Sequence, residues 1–121
     1  DIVRVSEAKT LSFGGSAIPE VYRPFTVTKD GSWTFGSSIK DLITFEYSDI
    51  SHVGSVPQVD LIVARDILSE LALASQEEVL DRFAELLPSG GLLVIGDHES
   101  LSGNPLWKRA GDGRLSAYFK V

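Results

Sequence analysis

Two short polar clusters follow apolar runs in the second half of this 121-residue chain. Arg65-Asp66 comes directly after Val59 to Ala64, and Asp97-His98-Glu99 follows the run Leu92 to Ile95 and one glycine. An imidazole flanked by two carboxylates could shuttle protons near neutral pH, so the second cluster is a candidate for acid-base chemistry. Each cluster also has a plainer interpretation, a surface ion pair at a strand end for the first and a polar loop after a strand for the second.

The elements that position these clusters are predicted to be a strand, a helix and a second strand. Both apolar runs are continuous, as expected for parallel strands covered on both faces. Ser75 and Glu78 form a capping box that predicts the start of the helix. Pro88 and Gly90-Gly91 predict its end and the turn into the next strand. The apolar residues between these signals fall on one helix face: Val79, Leu80, Phe83, Leu86 and Leu87.

A strand, helix and parallel strand connect right-handedly in nearly all known proteins. Ligands of such sheets lie beyond the carboxyl ends of the strands. Both polar clusters are at those ends, so we expect them to meet at one edge of the sheet.

A β-hairpin is predicted from Val21 to Gly36. Its turn contains Asp30-Gly31, and Asp-Gly between two β-favouring arms is a strong hairpin signal. Trp33 and Phe35 are two residues apart and therefore share one face of the hairpin. For the other segments we predict a strand at Ile2 to Val5, a loop at Leu11 to Pro19, a one-turn helix capped by Ser37 or Ser38, a strand at Leu42 to Tyr47, a loop at Ser51 to Gln58, and a final hairpin with arms Leu106 to Ala110 and Leu115 to Val121.

Composition narrows the range of functions. The net charge of −6, with scattered cationic residues, argues against binding to nucleic-acid backbones. The chain has no Cys and only His52 and His98, which have no recognised ligand spacing, so we predict no metal site. No apolar run approaches the roughly 18 to 20 residues that cross a bilayer, and we expect a cytoplasmic location without membrane contact. Because the chain lacks Met, we expect it to be processed or excised from something longer.

An ordered set of residues matches the pattern of a known family. The residues that carry the match are Phe45, Asp49, Val59 to Asp66, Gln76, Leu80, Phe83, Leu86-Leu87, Gly90-Gly91, Gly96 to Leu101, Tyr118 and Lys120. With these residues the chain resembles the C-terminal half of the CheR family, over roughly Tyr22 to Val121. Members are S-adenosylmethionine-dependent methyltransferases that esterify glutamate side chains of chemotaxis receptors.

The resemblance implies an α/β fold. We expect a partial Rossmann-like methyltransferase sheet with a strand-helix-strand core and a C-terminal β-hairpin, preceded by an N-terminal β-hairpin. The chain is predicted to be a single domain over 1–121, with an N-terminal strand, loop and hairpin region at 1–41 and the methyltransferase-like core at 42–121.

The resemblance also implies roles for particular residues. Arg65 matches the family's arginine beside the cofactor carboxylate, and a guanidinium can bind a carboxylate through two hydrogen bonds. Asp49 matches the residue that recognises adenine, and Asp66 follows the arginine as a third cofactor-binding candidate. Trp33 and Phe35 fall near the small β-subdomain with which family members hold a receptor tail. The cofactor would be S-adenosylmethionine, and the function one in chemotaxis signalling.

Several positions depart from the family pattern. Asp66 replaces an Asn, and Glu70 replaces a Tyr at the active site, so Glu70 faces a substrate or partner with a carboxylate. The Gly-rich turn that cradles the cofactor and the strand that follows it have no counterpart, since Gly14-Gly15 follows no convincing strand and opens no helix. The resemblance therefore assigns no catalytic residue.

Three interpretations remain open from the sequence. The first is a CheR-like protein-glutamate O-methyltransferase domain that is incomplete or inactive alone. Its missing strands would be supplied by Ile2 to Val5 or by a second polypeptide, such as the missing methyltransferase half or another copy. The second is a degenerate methyltransferase-like module that binds a protein partner, such as a chemoreceptor, in signalling. The third is a generic α/β unit without this function.

Overall fold

The computed structural model describes residues 12–14, 18–46, 48–50 and 56–121. The chain divides into two compact units, Asp1–Ser48 and Asp49–Val121. The predicted strand at Ile2 to Val5 lies outside the described residues. The single-domain organisation stays a prediction.

The first unit contains a three-stranded antiparallel sheet. Its strands are β1 (Ser12–Gly14), β2 (Thr26–Lys29) and β3 (Ser32–Phe35), in the order β1-β3-β2. Asp30 and Gly31 have φ angles of 51° and 74°, the left-handed pair that a two-residue hairpin turn requires. The predicted hairpin is thereby confirmed.

Three predictions for this unit were wrong in detail. Ser12–Gly14 is a strand paired with β3 and not a loop. The edge of β3 offers backbone hydrogen-bond partners to this segment, and the local sequence gives no sign of them. Glu20–Phe25 is a 3-10 helix and not a hairpin arm, with Pro24 inside it lacking a ladder donor. The predicted one-turn helix is present as α1 (Ser37–Lys40), but its N-cap is Gly36 and no side chain caps it, so the predicted cap at Ser37 or Ser38 was wrong.

The predicted strand at Leu42 to Tyr47 was also wrong for its described residues. Positions 43–46 have no regular structure, and Tyr47 lies outside the description. The amides of Leu42 and Ile43 donate to the carbonyls of Ile39 and Lys40, at 3.0 and 3.1 Å, so the turn after α1 uses the groups that a strand would need.

The second unit contains a four-stranded mixed sheet in the order β4-β5-β7-β6. The parallel pair β4–β5 and the hairpin β6–β7 were both predicted, and the α/β fold with an N-terminal antiparallel hairpin is confirmed. The elements are β4 (Leu61–Ala64), a 3-10 turn (Leu68–Glu70), α2 (Leu73–Leu86), β5 (Leu92–Ile95), β6 (Trp107–Ala110) and β7 (Ala117–Lys120).

Helix α2 begins two residues before the predicted Ser75 cap. Ala72 is its N-cap and provides no side-chain hydrogen bond, so the predicted capping box is not formed. The Gln76 amide instead donates to the carbonyl of Leu71, at 2.9 Å, across the entry to the helix. At the other end, the Lys120 ammonium donates to the carbonyls of Ala84 and Leu87, groups that a helix end leaves unpaired.

One face of the second unit's sheet packs against α2. The predicted apolar helix residues are all buried, and the most deeply buried large side chains are Leu87, Leu93, Ile95, Val79 and Tyr118. The opposite face is more open, since Leu61, Val63 and Phe119 are 53%, 61% and 43% exposed. The sequence predicted that β4 would be covered on both faces. Among the described residues, only one of its faces is covered. None of the helices in the described segments has the length and apolar character needed to cross a bilayer.

Candidate functional site

The two polar clusters meet at the carboxyl ends of β4 and β5. Ala64 and Ile95 form the last pair of the parallel register, so the residues after them leave the same edge of the sheet. Nη2 of Arg65 lies 3.0 Å from Oδ2 of Asp97, and both side chains are about half exposed. The ion pair of Arg65 is therefore with Asp97, which follows the neighbouring strand. It links the two polar clusters, as expected from the parallel arrangement of the strands.

The buried residue Glu99 connects the ends of the same two strands. Its Oε1 accepts hydrogen bonds from the amides of Gly96, at 2.7 Å, and Asp66, at 2.9 Å, while its Oε2 accepts one from the amide of Ser69, at 2.7 Å. The side chain is only 8% exposed. We call this arrangement the Glu99 clamp, defined by the Glu99 carboxylate and the amides of Asp66, Ser69 and Gly96.

The ionisation of Glu99 reflects this environment. Burial by itself raises the pKa of a carboxyl group, because it disfavours the charged form. The backbone hydrogen bonds from Gly96, Ser69 and Asp66 stabilise the carboxylate and outweigh burial, so the pKa of Glu99 lies below its ordinary value. The clamp therefore works with a charged carboxylate at neutral pH.

Two residues make the close approach of the strand ends possible. Asp66 has a φ of 59°, a left-handed conformation that Asp and Asn adopt more readily than most residues. Gly96 faces it, and a β-carbon at Gly96 would lie 2.0 Å from Oδ1 of Asp66. The same β-carbon would lie 2.9 Å from the backbone nitrogen of Asp66, which cannot turn away as the carboxylate can, so glycine is favoured at this position.

The proton-shuttle interpretation of His98 loses support from these contacts. Asp97 pairs with Arg65, and the Glu99 carboxylate accepts three backbone amides. The plainer interpretation, a polar loop after the strand, fits the structure better. His98 does line a cavity of about 520 Å³ with residues from the 3-10 turn, α2 and the loop after β5, including Ser69, Gln76 and Asn104.

Tyr118 is hydrogen-bonded to the loop that follows β5. Its hydroxyl oxygen accepts hydrogen bonds from the amide of Leu101 and from Nη1 of Arg109, both at 3.3 Å, and the Arg109 guanidinium also lies over its ring. Burial raises the pKa of Tyr118, but hydrogen bonds from Ser100, Leu101 and Arg109 lower it below its ordinary value overall.

The remaining candidate residues differ in exposure. Asp49 is exposed at the start of the second unit, and Glu70 is exposed at the end of the 3-10 turn. In the first unit Trp33 is buried and Phe35 is half-buried, and their rings meet edge to face with centroids 5.7 Å apart. Tyr22 packs against Phe35 in the same way, at 5.8 Å. No cluster of three or more potential metal ligands occurs within the ranges that the structure describes.

Comparison with known families agrees with this geometry. The family model described as CheR methyltransferase, SAM binding domain, matches residues 1–115. The chain belongs to this family. A search of curated proteins found no match. This CheR-family chain is therefore a methyltransferase domain of the class that binds S-adenosylmethionine.

Arg65 of this CheR-family chain keeps donors that could hold the carboxylate of a ligand. A guanidinium has five N–H donors, and the contact with Asp97 uses one of them, on a side chain 48% exposed. A second carboxylate can therefore bind Arg65 beside Asp97.

Gly14 and Gly15 were predicted not to form the cofactor's Gly-rich turn. Gly14 is the last residue of a strand, but that strand belongs to an antiparallel sheet. Gly15 lies outside the described residues.

The structure also contains functional groups that the sequence did not indicate. The Glu99 clamp was not predicted, and Glu99 was considered only as a flank of His98. The available signal was the spacing of Gly96 and Glu99, since a side chain three residues after the first residue beyond a strand can turn back to that residue's amide. The backbone partners at Asp66 and Ser69 have no sequence signature.

Proposed function

We propose that this chain forms the adenine and carboxylate side of the S-adenosylmethionine site in a CheR-like protein-glutamate O-methyltransferase, and that it is active only when another polypeptide or segment completes the site. The observation that carries the proposal is the position of Arg65 at the carboxyl ends of two parallel strands, where such sheets bind ligands. Family membership supports the cofactor class.

In this proposal each residue has a limited task. Arg65 binds the carboxylate of the cofactor, Asp49 accepts a hydrogen bond from the adenine amine, and Asp66 lines the site next to Arg65. The cofactor, when bound, supplies a methyl group already activated on a sulfonium. The protein then has to align the acceptor and exclude water, and it needs no nucleophile of its own.

We further propose a protein partner. Trp33 and Phe35 belong to the hairpin that would contact it, and Glu70 would face the substrate or partner. The exposed apolar face that includes Leu61 and Val63 supports completion of the second unit by another polypeptide, either a different methyltransferase segment or a second copy. The setting we propose is cytoplasmic chemotaxis signalling.

Titration calorimetry with S-adenosylhomocysteine tests the cofactor site, with the mass in solution measured alongside. We expect micromolar binding by a chain that has paired with a second copy, which completes the site, and we expect Arg65→Met to abolish that binding. The matched control is Arg82→Met, because Arg82 also makes an ion pair, with Glu85 near the end of α2. That end of the helix lies by the start of β4 and not by its carboxyl end, since the amide of Val59 donates to the carbonyl of Leu86. Absence of binding to the folded wild-type chain would refute the proposal for this chain alone.

A second candidate is a degenerate methyltransferase-like module that only binds protein. The carboxylates of Asp66 and Glu70 favour it, because they bring negative charge towards a site meant for an acidic acceptor. The double variant Asp66→Asn, Glu70→Tyr separates the candidates. Asn tolerates the left-handed backbone at position 66 as Asp does. Rescue of S-adenosylhomocysteine binding in this variant would indicate degeneration, and continued absence of binding would indicate that the remainder of the site is lacking.

A further inference from the structure

We propose that Glu99 is a positioning residue for the cofactor site: it fixes the backbone from which Arg65 presents its guanidinium to the ligand carboxylate. This inference rests on the proposed function and deepens it. Glu99 itself is directed at backbone amides, so its action on a ligand is through Arg65.

The first argument is the set of segments that one carboxylate joins. The amide of Asp66 belongs to the exit of β4, the amide of Ser69 to the 3-10 turn, and the amide of Gly96 to the end of β5. These are the segments that surround Arg65. A single buried anion therefore sets their separation.

The second argument concerns the place of Arg65 between two fixed points. On one side Ala64 is held in the parallel register opposite Ile95. On the other side the amide of Asp66 is held by Glu99 in a left-handed conformation with φ of 59°. With both neighbours fixed, Arg65 loses less conformational freedom when it binds a ligand, which is the usual gain from preorganisation.

The third argument is that the same clamp sets the distance between Arg65 and Asp97. Gly96 lies directly before Asp97 and donates to the same Glu99 oxygen as Asp66, which lies directly after Arg65. The two residues that form the 3.0 Å ion pair are therefore each adjacent to a clamp donor. Without the clamp, the distance between Arg65 and Asp97 would no longer be fixed. The N–H groups of Arg65 that are available to a ligand would then change.

The test compares two ligands on the wild-type chain and on Glu99→Gln. S-adenosylhomocysteine carries the amino-acid carboxylate, whereas 5′-methylthioadenosine has the same adenosine without it. Gln keeps the size of Glu but places an NH₂ group or a neutral oxygen where a carboxylate oxygen accepted an amide. We expect about a tenfold weaker affinity for S-adenosylhomocysteine, the effect of one charge-assisted hydrogen bond. The affinity for 5′-methylthioadenosine should stay within about twofold.

The ratio of the two affinities is the decisive quantity, because partial unfolding of the variant lowers both to the same extent. Glu78→Gln is the matched control, since it removes one charge from an exposed position on α2 and should leave the ratio unchanged.

The outcomes separate the inference from the function on which it rests. An unchanged ratio in Glu99→Gln, with wild-type chain that binds S-adenosylhomocysteine, would overturn the positioning role and leave the proposed function intact. Wild-type chain that binds neither ligand would overturn both.

Discussion

Replacing Glu99 by Gln should lower the free energy of unfolding measurably even without ligand. The carboxylate accepts three backbone amides in a site only 8% exposed. Gln can keep one oxygen near the amides of Asp66 and Gly96, but its NH₂ group then faces the amide of Ser69 and that hydrogen bond is lost. Hydrogen bonds to charged groups contribute about 1.5 to 3 kcal/mol each, and a neutral acceptor makes weaker ones. We expect a loss of about 3 kcal/mol at pH 7.

The pH dependence gives this prediction a second measurable feature. The pKa of Glu99 is lowered in the folded chain, so its contribution to stability is fully present above the pKa of the unfolded chain. The contribution disappears as the pH falls through the lower pKa of the folded state. The stability gap between wild type and Glu99→Gln should be constant from about pH 8 to pH 5 and shrink below about pH 4.

Urea unfolding followed by circular dichroism measures this gap at each pH, with Glu78→Gln as the charge-matched control. The variant should keep the wild-type dependence of free energy on urea, since its folded state buries the same surface. A gap below about 1 kcal/mol at pH 7, the size of an ordinary neutral hydrogen bond, would refute the reasoning. So would a gap of equal size at pH 7 and pH 3.

Two other substitutions test the contacts that hold the second unit together. Gly96→Ala should cost about 2 kcal/mol, since its β-carbon would fall 2.9 Å from the backbone nitrogen of Asp66, which cannot turn away as the carboxylate can. Gly36→Ala, where the nearest atoms are 3.6 Å away, should cost less than about 1 kcal/mol by the same urea assay. Lys120→Met should lower the thermal midpoint of unfolding by about 5 °C, because the two carbonyls at the end of α2 lose their hydrogen-bond donor. The control is Lys108→Met. Lys108 is exposed on the neighbouring strand β6, so its substitution should shift the midpoint by about 1 °C at most. Equal shifts for the two lysines would contradict the capping role.

The parts of the fold that were predicted are those in which local pattern and tertiary environment agree. The helical spacing of Val79, Leu80 and Phe83 and the continuous apolar runs on either side of it indicate both the elements and their buried faces. The Asp30-Gly31 turn needs two left-handed residues, and few sequences provide them. The meeting of Arg65 and Asp97 follows from the parallel connection alone.

The wrong predictions have a common cause. Ser75 and Glu78 satisfy the local rule for a capping box, but burial of Leu68 in the preceding 3-10 turn sets where the chain enters α2. Leu42 begins an apolar stretch that suits a strand, yet its amide is used by the turn after α1. In both cases an adjoining turn decided between two structures that the local pattern allows.

The Glu99 clamp could not be predicted for a different reason. Its donors are backbone amides, which every residue except proline has, so the sequence at positions 66 and 69 does not indicate that they bind a carboxylate. Only the folded arrangement shows why an acid is required at position 99.

The open apolar strand β4 has a consequence for the behaviour of the chain in solution. Within the described segments, β4 is an end strand of its sheet, and Leu61 and Val63 project from it into solvent. Such an edge can add strands from other molecules and promotes aggregation. The net charge of −6 opposes this association through mutual repulsion, which acts over about 10 Å at 0.1 M salt and only about 3 Å at 1 M. The colloidal stability of the chain should therefore fall as ionic strength rises, the opposite of the behaviour of a protein whose solubility is limited by attraction between unlike charges.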